Sequence, residues 1–252
     1  MRQLISPGDL IVQSVRQYPS QARAYGEIAI WYVLLAMSGW AFEKIVSAIT
    51  IDKGLRLLAN LLFALPSGLI AFALFLAVVD IAARALAGRR AEVGRSISQG
   101  AHLLIPGIWI TILAGLLTGL GTLALVLPGI WLYFRYRFAI YALVQDDIRG
   151  NRALTASAGA VNGQWWGVFF RVILTGIAFY VMGRLALAVC FLLVGAALGE
   201  PGLLFRTEID TSYLPTLQAL LAAVIPAAVQ ALVMPLVIGA DLILWNDLRR
   251  KA

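Results

Sequence analysis

Long stretches of this chain carry almost no charge, and their lengths predict its elements. A helix needs roughly 20 apolar residues to cross about 30 Å of hydrocarbon. Runs of that kind occur at about 27–49, 57–83, 103–126, 128–146, 164–198 and 214–245. Glu43 and Lys44 interrupt the first near its far end. The third and fourth form one nearly continuous apolar stretch from Leu103 to Tyr133, too long for a single span. A break is expected at Leu127-Pro128-Gly129, because proline has no amide to donate and glycine opens a turn. A kink in one tilted helix is the alternative. Pro226 and Pro235 interrupt the last run and predict freed backbone carbonyls there, as in packing-tolerated kinks or in the broken helices of transporter sites.

Between these runs lie three shorter segments with helical periodicity. Ser6-Pro7-Gly8-Asp9 is a helix start, with serine as N-cap, proline at the first helical position and an acid three residues after the cap. In the helix it opens, over about 7–18, Leu10, Ile11, Val15 and Tyr18 share one face, with Gln13, Arg16 and Gln17 off it. Near 93–102 the corresponding face is Val93, Ile97, Ala101 and Leu104. Near 151–163 it is Leu154, Ala158, Val161 and Trp165. Such helices suit a membrane surface. Each precedes a pair of apolar runs, which suggests three copies of a surface helix plus a transmembrane hairpin. The doubled Pro-Gly-Ile-Trp strings at 106–109 and 128–131 fall at unmatched places in those copies.

Composition agrees with this reading. Of 252 residues, 61% are hydrophobic and 13% charged, and the mean hydropathy is +0.87. A soluble domain has about 25% charged residues, so this chain lacks the charge to cover a water-facing surface. The fold class expected is all-α: a polytopic transmembrane helix bundle of about six spans, one integral membrane domain over 1–252, with short cytoplasmic amphipathic surface helices. The formal net charge of +7 sits in short runs between spans, without a basic stripe beside stacking aromatics, and so speaks for topology rather than nucleic acid. Arg2, Arg16 and Arg23, then Arg84, Arg89, Arg90 and Arg95, then Arg149 and Arg152, and finally Arg249, Arg250 and Lys251 mark alternate segments. The intervening loops are poorer, with Lys53 and Arg56 beside Asp52, and Arg206 among Glu200, Glu208 and Asp210. Both termini are therefore expected in the cytoplasm. No cleaved signal peptide is expected, and the first run reads as a retained signal-anchor span. Cys190 is the only cysteine, which excludes an intramolecular disulfide.

From about Arg84 onward four places resemble a known family. They are Leu127-Pro128-Gly129-Ile130-Trp131-Leu132 with Arg135, Ala153-Leu154 with Ser157, Gly163-Gln164-Trp165-Trp166, and Asp247-Leu248-Arg249. Their order and spacing are similar to the membrane domain of glycerophosphoryl diester phosphodiesterases and to related uncharacterised bacterial integral membrane proteins. Two departures stand out: Asp146 or Asp147 in place of a glutamate, and Trp245-Asn246 in place of a tyrosine-rich pair. The resemblance implies a helical fold in the bacterial inner (plasma) membrane and a loose connection to lipid or envelope processes. It implies no catalytic residue for this portion.

No chemistry announces itself. His102 is the only histidine, and the chain has no His-Glu-x-x-His or Gly-x-Ser-x-Gly pattern. No catalytic residue, cofactor or metal is expected. The residues that stand out are ionisable groups inside spans, each costing about 2.5–3.5 kcal/mol in hydrocarbon on insertion scales. These are Asp80, Arg135, Arg137, Arg171, Arg184 and Asp241. An ion pair of Arg171 with Asp241 is one expectation. Arg135, Arg137 and Arg184 are the candidates for a polar cavity or an anionic ligand. Trp165 and Trp166 fit an interfacial aromatic belt. The function expected is that of a non-catalytic accessory or lipid- and envelope-interacting membrane protein. The alternative is a small transporter or channel-like protein for a small or anionic solute. Membrane lipids are the expected partners, with other membrane proteins or a second copy of the chain as further ones, and no nucleic acid.

Overall fold

A computed structural model describes residues 4–199 and 216–251. The loop charges Glu200, Arg206, Glu208 and Asp210, the terminal Arg2, and the first positions of the predicted last span lie outside the described residues. Helices and short turns make up the described chain, with no strand among the described residues. In order they are α1 (Pro7–Gln17), a 3₁₀ turn (Tyr18–Gln21), α2 (Ala22–Ile49), α3 (Lys53–Leu86), α4 (Val93–His102), α5 (Leu104–Ala124), α6 (Val126–Tyr136), α7 (Ala139–Asp146), α8 (Asn151–Val161), α9 (Trp165–Ala197) and α10 (Thr216–Arg249).

Five helices are long and apolar enough to cross a membrane: the one ending at Ile49, then α3, α5, α9 and α10. Large apolar side chains stand exposed along them, Leu61, Leu65, Phe170, Ile177, Leu185 and Leu193 among them. Such a surface requires hydrocarbon as its solvent. The chain is an integral membrane protein with an all-α helical bundle, and α6 with α7 supplies the material of the remaining predicted span.

That span, 128–146, is not one helix. α6 stops at Tyr136 and α7 starts at Ala139. The expected break before it is present but lies at Leu125, which is extended at φ −164°, ψ 145°. Pro128 therefore falls in the first turn of α6, where its missing amide has no intrahelical acceptor to lose. The α5–α6 hairpin closes on glycine: a Cβ on Gly129 would lie 2.0 Å from Thr122 Oγ1 and 2.8 Å from its Cα. Pro226 and Pro235 do not break the last span, since α10 runs continuously through both. Neighbouring packing absorbs such kinks in membranes.

Two compact units divide the chain. The first comprises Met1–Ala24, Phe72–Ala178 and Pro235–Ala252, and so holds all three short helices α1, α4 and α8. The second comprises Tyr25–Ala71 and Phe179–Met234. In the second unit Glu43, the charge that interrupts the first span, accepts from Arg56 Nη2 at 2.7 Å and Asn60 Nδ2 at 2.7 Å, which joins α2 to the start of α3. Phe42 stacks on Phe63, with ring centroids 4.4 Å apart, beside that bridge.

In the first unit the three short helices pack through small residues as well as apolar ones. Ser6 caps α1 as expected, accepting from the Asp9 amide. The buried stripe of α1, however, is Leu10, Ser14 and, one turn past its end, Gln21, while Val15 is exposed. On α4 the buried positions are Ser96 and Gly100 with Leu103 after it, not Val93, Ile97 and Ala101. On α8 the predicted Leu154, Ala158 and Val161 are buried, joined by Ala153, Ser157 and Ala160. Small residues let the helix backbones approach closely: a Cβ on Gly100 would sit 2.3 Å from the Ala73 carbonyl oxygen.

Candidate functional site: buried polar clusters and the Arg135 cavity

Five of the six costly charges resolve into four arrangements in the first unit, three of them closed. Asp80, near the end of α3, accepts from Arg84 Nε at 2.7 Å and from Ser96 Oγ at 2.7 Å. One carboxylate thus satisfies its own helix's arginine and anchors α4. Asp241, on α10, is 4% exposed. It accepts from Arg137 Nη2 at 2.8 Å and from Tyr141 Oη at 2.8 Å. Arg137 also donates to Tyr133 Oη at 2.5 Å, its guanidinium 5.7 Å from that ring's centre. A buried ion pair holds only where further hydrogen bonds satisfy both partners, and here two tyrosines supply them.

Arg171 does not pair with Asp241. Its Nε donates to the Ile5 carbonyl at 2.5 Å, Nη2 to that of Leu4 at 2.9 Å, and Nη1 to that of Gly167 at 2.9 Å. The Ile5 amide donates in turn to Asp247 Oδ2 at 3.0 Å, which also accepts from Lys251. Arg171 and Asp247 therefore hold the segment before α1 from both sides of one residue. Arg171 thus spends its donors on backbone carbonyls, and Asp241 pairs with Arg137 instead.

The fourth arrangement is open. Arg135 lies in the last turn of α6 with its guanidinium 4.5 Å over the Trp131 ring. Its Nε is buried and without a hydrogen-bond partner, and no carboxylate pairs with it among the described residues. The side chain lines a cavity of about 310 Å³ together with Trp131, Asn162, Gln164, Trp165 and Trp166. Gly163, at φ +75°, makes the sharp turn from α8 into α9 at its rim. Trp165 Nε1 donates to the Trp131 carbonyl at 3.1 Å and so fixes one wall to the other. The first amides of α9, from Trp165 onward, face no intrahelical acceptor.

Arg184 belongs to the second unit, on α9, exposed and without an ion pair among the described residues. Arg135 and Arg137, two residues apart, thus face different surroundings: one is spent on Asp241, the other free. Sequence reasoning missed Tyr133, Tyr141, Ser96 and the role of Ser157. A signal was present, because aligning the ends of α3, α7 and α10 puts Asp80, Tyr141 and Asp241 in one column and Asp147-Ile148-Arg149 opposite Asp247-Leu248-Arg249. Among the described residues no three His, Cys, Asp or Glu side chains gather to hold a metal ion.

Fold and site together define a polytopic helical membrane protein whose buried charges are mostly self-satisfied. Compared with models of known families, with curated proteins and with solved structures, the chain matches none.

Proposed function

We propose that this is a non-catalytic accessory protein of the inner membrane that interacts with lipids, with both termini in the cytoplasm. The observation that carries the reading is Arg135: a cation stacked on Trp131, without an ion-pair partner among the described residues, in the wall of a cavity lined by tryptophans. Trp165 and Trp166 open an apolar helix of membrane-crossing length. They stand where indole rings are enriched, at the level of lipid headgroups. Asp80, Asp241 and Asp247 each already accept two or more hydrogen bonds, so none is poised as a free acid or base. The resemblance of the region from Arg84 onward to the phosphodiesterase-associated membrane domain points the same way, toward lipid or envelope processes without catalysis. A transporter built on Arg135, Arg137 and Arg184 is less well supported, because Arg137 is neutralised by Asp241.

Native mass spectrometry of the full chain released from mild detergent tests the reading. Phospholipid is expected to stay bound at a defined stoichiometry. A spectrum of bare protein under conditions that preserve its fold would sink the proposal.

A further inference from the structure

We infer that the Arg135 cavity is a binding site for one phosphate ester group carried by an anionic molecule, with Arg135 as its counter-ion. The inference rests on the lipid-interacting reading above and names the site and chemistry it would use. The first argument is charge. Every other arginine inside the first unit's core has a defined anionic or carbonyl partner: Arg84 has Asp80, Arg137 has Asp241, and Arg171 has three carbonyls. Arg135 has only the face of Trp131. A guanidinium half-withdrawn from water with no acceptor on its terminal nitrogens is a cost that an anion entering from the cavity would offset.

The second argument is the donor set. Arg135, Asn162 and Gln164 line the same space, and so do Trp165, Trp166 and Gly167, whose amides open α9. No carboxylate lines it. A cation with no carboxylate beside it favours an anion, and arginine's planar fork matches phosphate oxygens two at a time. The start of a 33-residue helix adds favourable field for negative charge. The third argument is size and wall chemistry. About 310 Å³ bounded by three indole rings admits a phosphate ester with part of an attached glycerol, and the apolar rings suit the start of an acyl-bearing backbone. The rim is accessible, since Asn162, Gly163 and Trp166 are exposed.

The same chemistry could arrive as a lipid headgroup or as free phosphate, so both are put to the test. Full-length protein in detergent is titrated with phosphatidylglycerol and with inorganic phosphate, and binding is read by native mass spectrometry. One phosphatidylglycerol is expected per chain, and Arg135→Gln is expected to weaken it about tenfold or more, as loss of a charge-assisted pair implies. Arg152→Gln removes an exposed arginine outside the cavity and is expected to leave that affinity unchanged. Asn162→Phe, at an exposed position on the rim, fills the space without disturbing packed side chains and is expected to abolish the same binding event. This second variant keeps the test decisive if Arg135→Gln folds poorly. Displacement of the lipid by inorganic phosphate assigns the site to a small soluble phosphate; resistance to displacement assigns it to the lipid. Equal lipid affinity in wild type, Arg135→Gln and Asn162→Phe overturns the site while leaving lipid interaction standing. A wild-type chain that holds neither ligand overturns both.

Discussion

A single hydroxyl holds together the interruption between α6 and α7. Ser157, fully buried on α8, accepts from the Phe138 amide at 3.1 Å and donates to the Arg135 carbonyl at 2.7 Å. Those are backbone groups that a continuous helix would have bonded to its own turns. The same device recurs, with variation, on the other short helices: Ser14 donates to the Leu236 carbonyl, and Ser96 to the Asp80 carboxylate. Each short helix thereby docks on the helix closing a transmembrane pair: α1 on α10, α4 on α3, and α8 on the α6–α7 break. Ser157→Ala leaves two buried backbone groups unmatched and is expected to destabilise the folded protein by about 1–3 kcal/mol. Thermal unfolding in detergent checks this, and Ser157→Cys, a weaker donor and acceptor, should fall between the two. A melt unchanged by Ser157→Ala would mean that water or backbone adjustment bridges the break. At this scale the sequence singles out the expensive charges because hydrocarbon penalises them regardless of context. It could not assign partners: Arg135 and Arg137 look alike in sequence, and only the direction each leaves the α6 end separates the free cation from the paired one.

At the scale of elements, the predicted bounds of α1, α4, α5 and α9 lie within a few residues of those observed, while the stripes on which α1 and α4 pack, Leu10 with Ser14 and Ser96 with Gly100, are not the apolar faces read for the membrane surface. Apolar periodicity reports which side avoids water. In a membrane protein that side divides again between lipid and protein, and the second division leaves no hydropathy signal. Small residues carry it instead, which is why the packed stripe of α4 is Ser96 and Gly100 while bulkier Val93 and Ile97 stay less covered. The distinction is testable within one helix. Gly100→Ala would force a methyl against the Ala73 carbonyl, 2.3 Å away, where backbone cannot yield. The expected cost is about 1–3 kcal/mol from overpacking. Gly94→Ala, with nothing within 4 Å of the added atom, is expected to be neutral or to stabilise by up to about 1 kcal/mol through helix propensity. Limited proteolysis at the α3–α4 turn should accelerate in the first variant only. Equal behaviour of both would show that α4 does not dock through Gly100.

For the whole molecule, helix length and charge distribution combine into one topological argument. α3, at 34 residues, extends about 51 Å at 1.5 Å per residue, well beyond the roughly 30 Å of a hydrocarbon core. The excess carries Arg84 to the far end of the helix, beside the Asp80 carboxylate on which α4 docks, and α10 likewise ends on a basic residue, Arg249. Positive residues cluster at these ends and are sparse at Ile51 and Leu125, the turns after the first and third apolar helices. The sequence could read this alternation because it depends on counting charges, not on contacts. Labelling of single cysteines in a Cys190→Ser background with a membrane-impermeant maleimide tests it. Ser20, Glu92, Asn151 and Arg250 are exposed positions near the basic ends, and cysteines there are expected to stay protected in intact cells and to react after lysis. Cysteine at Ile51, 95% exposed, is expected to react from outside. Leu125 carries the finer distinction, because Leu123, Leu125 and Leu127 make an uncharged, exposed hairpin tip. External labelling at Leu125 is expected and gives six crossings; protection there gives a hairpin that turns back within the hydrocarbon. Either result returns the chain to the side from which it entered, so the parity of the fold survives it. Ser20 and Arg250 reacting from opposite sides would remove that parity, and with it the common surface on which α1, α4 and α8 are placed.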